Sequence, residues 1–249
     1  MKASPLPSIV LAVALAAAVF SPCVRAQDSV VLRNGQVREG KIVGVSGGNI
    51  RIQVGPSTTG TPLSEVREVR MEAPPELAAA AASLAGGNAA GAVQALQKLN
   101  DTFAGLPAPW AERAAALLGD AKLAAGDKEG AAAAYDNLTR VYPGATSLAD
   151  LGRARLMVES GEFDKAGPLL SPVVGASEKV AFPGPAQATA FSQAHYLMGR
   201  IKEEAGDLAQ ALDHYLKASA VFPYDKNAAS SARQRADKLR AEHAGLIAP

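Results

Sequence analysis

Gly87-Asn88-Ala89-Ala90-Gly91-Ala92, Gly126-Asp127-Lys128-Glu129-Gly130-Ala131, Gly161-Glu162-Phe163-Asp164-Lys165-Ala166 and Gly206-Asp207-Leu208-Ala209-Gln210-Ala211 are four versions of one six-residue phrase. Each follows an Ala- and Leu-rich run with helical spacing and precedes another, so the phrase reads as a tight turn between two helices. The leading Gly can take the left-handed conformation that ends the first helix. The Asn, Asp or Glu after it can cap the second helix, and the closing Ala lets the two helices approach closely. The pattern is one helical hairpin used four times, with turns at Gly87, Gly126, Gly161 and Gly206.

The residues around the phrase point to a family. In the last copy Leu197-Met198-Gly199 is followed by Gly206, Ala211, Tyr215, Ala218 and Pro223. In the second, Leu118-Gly119 is followed by Gly126, Ala131, Tyr135 and Pro143. This order of small residue, Ala, aromatic and closing Pro resembles the tetratricopeptide repeat, whose unit is about 34 residues. Ala80, Gly119, Ala154 and Gly199 lie 39, 35 and 45 residues apart, and Pro-rich stretches at 106–109 and 182–185 take up the excess before the second and fourth units. The first copy departs from the pattern with Leu96 where the second has Tyr135, and its Ala-rich helices are expected to be thinly packed. The third departs with Arg153 at an apolar position and no closing Pro.

Residues 1–26 read as a secretory signal: Lys2, the apolar run Ile9–Phe20, then Val24-Arg25-Ala26 with small residues where a signal peptidase reads. Cleavage after Ala26 leaves a chain beginning at Gln27 and removes Cys23, the one cysteine, so no disulfide is expected. Lipidation of Cys23 would need a lipoprotein signature, which Phe20-Ser21-Pro22 fits poorly. The location expected is periplasmic or secreted, with no stable membrane insertion after cleavage.

Residues 27–72 have a different character. Val30-Val31-Leu32, the Asn34-Gly35 turn, Val37–Val45, the turn at Gly47-Gly48, and Asn49–Val54 with Ile50, Ile52 and Val54 on one face read as short strands joined by tight turns. Pro56–Thr61 reads as a loop, Leu63–Glu65 as a turn and Val66–Met71 as a last strand. So few residues can bury a core only as a small barrel, and the segment resembles SH3-like and Sm-like barrels. Pro74-Pro75 marks a short, stiff boundary before the first helix. The expected fold is therefore an α+β multidomain chain: a small β barrel at 27–72, a solenoid of four tetratricopeptide-like repeats at 75–225, and a capping helix and tail at 226–249. A polar cap is what an array needs where its last unit would otherwise expose the surface its neighbours bury.

Function classes narrow in the same way. Lys and Arg number 25 against 24 Asp and Glu, so no basic surface points to nucleic acid. Arg33, Arg38, Lys41, Arg51, Arg67 and Arg70 alternate with acids on the strands, as on a solvated face. Without a cysteine after residue 26 there is no thiol nucleophile. His195, His214 and His243 sit at ordinary helical positions and form no metal-ligand spacing or catalytic set. No P-loop or dinucleotide turn follows the glycines. The reading is non-enzymatic, with no cofactor and no metal.

What the resemblance implies is a surface. In that family the first helix of each hairpin lines the concave face that receives a protein or peptide. The matching positions here are Arg113 and Asp120 in the second unit, Arg155 in the third, and Tyr196, Arg200 and Glu203 in the fourth; they are either partner anchors or the solvated side of their helices. Tyr135–Pro143, with its Tyr-x-x-Leu-x-x-x-Tyr-Pro spacing, resembles the hairpin endings of periplasmic tetratricopeptide proteins serving envelope assembly and division. The leading expectation is an interaction scaffold of the bacterial-type cell envelope. Its rival is an accessory or glycan-binding module of an envelope enzyme system, with the barrel as the binding element.

Overall fold

A computed structural model describes residues 27–249. The signal segment, the cleavage after Ala26 and Cys23 all fall outside the described residues. Six strands come first: β1 (Ser29–Leu32), β2 (Val37–Glu39), β3 (Lys41–Ser46), β4 (Asn49–Val54), β5 (Ser57–Pro62) and β6 (Val66–Arg70). They pair into two antiparallel three-stranded sheets, ordered β2-β1-β6 and β3-β4-β5. No strand ladder joins β5 to β6 among the described residues, so the pairing leaves two open sheets.

The segment expected as one strand, Val37–Val45, is broken at Gly40. There φ is +151°, and a Cβ would lie 2.7 Å from the Gln53 carbonyl oxygen. Only glycine lets the chain turn there from one sheet into the other. Asp28 fixes this corner, accepting the Gly40 N–H on its carbonyl and the Ile42 N–H on its carboxylate. The expected loop at Pro56–Thr61 is mostly β5, paired with β4 from Val54↔Ser57 to Asn49↔Pro62. Its Ser and Thr residues carry no hydrophobic alternation, so β-branching was the only local sign of a strand. Val30, Leu32, Ile42, Ile50, Ile52 and Val66 form the apolar interior between the sheets.

The helices follow from Pro75: α1 (Pro75–Ala85), α2 (Ala89–Phe103), α3 (Pro109–Ala124), α4 (Lys128–Val141), α5 (Thr146–Glu159), α6 (Phe163–Ser177), α7 (Pro185–Glu204), α8 (Leu208–Leu216) and α9 (Lys226–Glu242). Gly87, Gly126, Gly161 and Gly206 stand at φ of +84°, +83°, +76° and +77°, each between the two helices of a hairpin. All four turns share one hydrogen-bond pattern. The glycine N–H donates to the carbonyl three residues back, and the next residue's N–H donates to the carbonyl five back, as in Gly87 to Leu84 and Asn88 to Ser83. These bonds satisfy the last carbonyls of the first helix. Asn88, Asp127 and Asp207 then cap the second helix by accepting from Gly91, Gly130 and Gln210, whereas Glu162 makes no side-chain cap. The closing residues Ala92, Ala131, Ala166 and Ala211 are all fully buried.

Nine residues after each turn glycine stand Leu96, Tyr135, Leu170 and Tyr215, all with no exposed surface. The first unit is thus not thinly packed. Its small side chains are backed by the sheets: one apolar cluster runs from the strand interior through α1 to α4, and a Cβ on Gly44 of β3 would lie 2.7 Å from the Thr102 carbonyl oxygen of α2. Arg153, out of place in an apolar pattern, ties α5 to α4 by its ion pair to Asp136 at 2.9 Å and a hydrogen bond to Thr139 Oγ1.

Candidate functional site

The first helices of the hairpins face one groove of about 550 Å³. Leu84 of α1, Leu117 and Leu123 of α3 and Leu197 of α7 give it apolar wall, and Ala228 of α9 continues it. Polar groups converge on the same space: Asp120 of α3, Lys128 at the start of α4, Arg155 and Glu159 of α5, Gln193 and Tyr196 of α7, and Asp225 at the cap of α9. α9 therefore stands where the first helix of a fifth unit would stand.

Tyrosines from the second helices hold this wall together. The Tyr135 hydroxyl donates to Asp120 at 2.7 Å, and Asp120 pairs with Arg155 of the next unit at 2.7 Å. In the fourth unit Tyr215 donates to Glu203, which pairs with Arg235 of α9 at 2.9 Å. The same tyrosine, acid and arginine thus link one unit to the next at two places in the array. Burial, together with the negative charge of Asp120, pushes the Tyr135 hydroxyl far above its ordinary value, so it stays a donor. Asp120 also holds the Arg155 guanidinium above its ordinary value.

The structure brings three of the six expected residues into the groove: Asp120, Arg155 and Tyr196. Arg200 lies beside it, paired with Glu159. Glu203 serves the joint with α9 instead. Arg113 is exposed at the start of α3, about 10 Å along the helix from Asp120 and away from the groove. Gln193, Glu159, Lys128 and Asp225 were missed. Gln193 lies three residues before Tyr196, on the same helix face, and could have been found by spacing. Asp225 could not, because α9 was expected only to cover the last unit.

A second polar cluster lies on the other side of α7. Ser177 Oγ is 2.8 Å from His195 Nε2, and His195 Nδ1 is 2.9 Å from His214 Nδ1. Among the described residues no group of three or more His, Cys, Asp and Glu side chains could hold a metal, and no helix is long and apolar enough to cross a membrane.

The architecture defines a class: a helical-hairpin repeat protein with a small β-sheet region in front of the repeats. A family model described as the tetratricopeptide repeat matches residues 116–145, the second half of α3 through α4 and the turn after it. That repeat suggests protein–protein interaction, is typically non-catalytic, and brings no enzyme family with it. A search of curated proteins finds no match to this chain.

Proposed function

We propose that this protein is a non-enzymatic scaffold that binds a short segment of a partner protein in the groove between α1, α3, α5, α7 and α9. The observation that carries the reading is the convergence of those first helices, with α9, on one concave space whose wall is apolar and whose rim is charged. The volume falls in the range of about 300–1,000 Å³ usual for ligand sites, enough for a few side chains of a partner. The apolar start and small-residue end of residues 1–26 support a periplasmic or secreted location, and the short strands and tight turns at 27–72 support reading the two sheets as a small SH3-like or Sm-like barrel.

Tyr196 is the anchor expected to matter most. Its ring lines the groove and packs 6.2 Å from that of Tyr215, so its position is set by the core. Tyr196→Ala should weaken a captured partner by about thirtyfold, the effect of about 2 kcal/mol at an aromatic hot spot. Lys238→Ala is the control: Lys238 is on exposed α9 surface, 3.8 Å from Glu242, and outside the groove. Partners captured from envelope extract by residues 27–249 are to be titrated against both variants. Unchanged affinity in Tyr196→Ala would move the site to the sheets.

A further inference from the structure

α7 has two working faces. Gln193, Tyr196 and Leu197 face the groove described above, whereas Met198, Ile201 and Lys202 form the wall of a second groove of about 580 Å³, with α6 opposite and His214 of α8 in its wall. His214 is 9% exposed, and its ring nitrogens have different duties.

The proton positions follow from the chain of contacts. Ser177 Oγ and the Val174 carbonyl oxygen lie 2.7 Å apart, and the carbonyl has no hydrogen to give, so the hydroxyl proton lies between them. Ser177 Oγ must then accept from His195 Nε2–H. That leaves His195 Nδ1 as an acceptor, so His214 donates its Nδ1–H to it. His214 Nε2 is consequently a bare acceptor without a partner among the described residues, on a ring that lines the groove. Burial is the main cause holding both imidazoles below their ordinary value, His195 at about 4; Lys217, with His214 at His195 and Lys202 at His214, pushes the same way, while Asp213 and, at His214, Glu178 oppose it. Both rings are neutral at neutral pH.

The rest of the wall suits a flat apolar ring. Phe163, Met198 and Ile201 offer ring, thioether and aliphatic contact, and Lys202, with no ion-pair partner among the described residues, can lie over a π face. Pro168 and Pro172 within α6 withhold the N–H groups that would take the carbonyls of Asp164 and Pro168, two residues of this wall. Apart from the Lys202 ammonium, the groups left over in this wall are acceptors.

We infer that this second groove is a binding site for an aromatic ring bearing an N–H or O–H donor, of the indole or phenol class, with His214 Nε2 as the acceptor. The site is separate from the concave groove and does not depend on the reading of it.

The test is calorimetric titration of the full chain with indole and with 1-methylindole, which has the same ring without the N–H. Indole should bind and 1-methylindole should bind about tenfold more weakly, the worth of one buried hydrogen bond. Gly175→Leu fills the groove from α6, at a position where a Cβ meets nothing within 4 Å, and should abolish indole binding while circular dichroism stays helical. Gly167→Leu, equally open, is the second blocking variant. Absence of indole binding, equal affinity for the two indoles, or indole binding retained in a folded blocking variant overturns the site.

Discussion

Tyr135→Ala should lower the unfolding free energy by about 3–5 kcal/mol, because the ring is fully buried and holds two units together. The ring lies between two glycines that leave it room: a Cβ on Gly119 of α3 would stand 2.3 Å from Tyr135 Cε1, and one on Gly152 of α5 2.2 Å from the same atom. Backbone from both helices closes on the ring at distances no other residue allows. The hydroxyl then reaches Asp120, and through it Arg155. Gly152→Ala should therefore be destabilising by about 1–3 kcal/mol or more, since a rigid ring must move. In the double variant the new methyl group enters space the ring has left, so the combined loss should be smaller than the sum of the two. Urea unfolding followed by circular dichroism measures all three. Strict additivity would show that the ring and the glycine do not share that space. Leu96→Ala, at the equivalent position of the first unit, should also cost about 2–5 kcal/mol, since Leu96 has no exposed surface.

The second large effect is acid sensitivity at the junction of α6, α7 and α8. His195 has a pKa lowered from 6.5 to about 4, burial being the first cause and the neighbouring His214 and Lys217 the next, with Asp213 opposing. The unfolded chain takes up the proton near pH 6.5 and the folded chain resists it until about pH 4. Stability is therefore full above the higher value and is lost as the pH falls between the two. At about 1.4 kcal/mol per pH unit the loss from this residue is about 3 kcal/mol. The geometry gives the same direction: a proton on His195 Nδ1 would meet the N–H of His214 across 2.9 Å. His195→Gln cannot titrate, so its unfolding free energy should fall less steeply across that range than that of the wild type. The carboxylates of the chain titrate in both proteins and cancel in the comparison. Parallel curves would show that this junction has no special sensitivity to acid.

The helical part was legible because its signals are local. A glycine at the helix end, an Asn or Asp beside it and an Ala five residues after the glycine act within one turn of chain, and the four glycines stand at the hairpin turns. The sheet region was legible only where an apolar run, as in β1, or hydrophobic alternation marked it. β3 and β4 show alternation; β5, built of Ser, Thr, Gly and Pro, does not, and its sequence reads as a loop. The groove was half legible, since family positions led to Asp120, Arg155 and Tyr196 but not to Gln193 or Asp225.

The sequence by itself determined the repeat: where each helix stops, what caps the next, and which alanine lets the pair close. Only the tertiary structure decided what each unit meets. Tyr135 finds Gly152, Arg155 finds Asp120, and α9 takes the place of a fifth first helix through Arg235 and Glu203. The sheets share their apolar cluster with α2, which is why an Ala-rich first unit can be closely packed. His195 and His214, ordinary positions on two helices, become one buried hydrogen-bonded pair. A turn is specified by the conformational preferences of residues adjacent in the chain, whereas these partners are 17 to 35 residues apart and are chosen by the angle at which one hairpin stacks on the next, which depends on the volumes of many side chains at once.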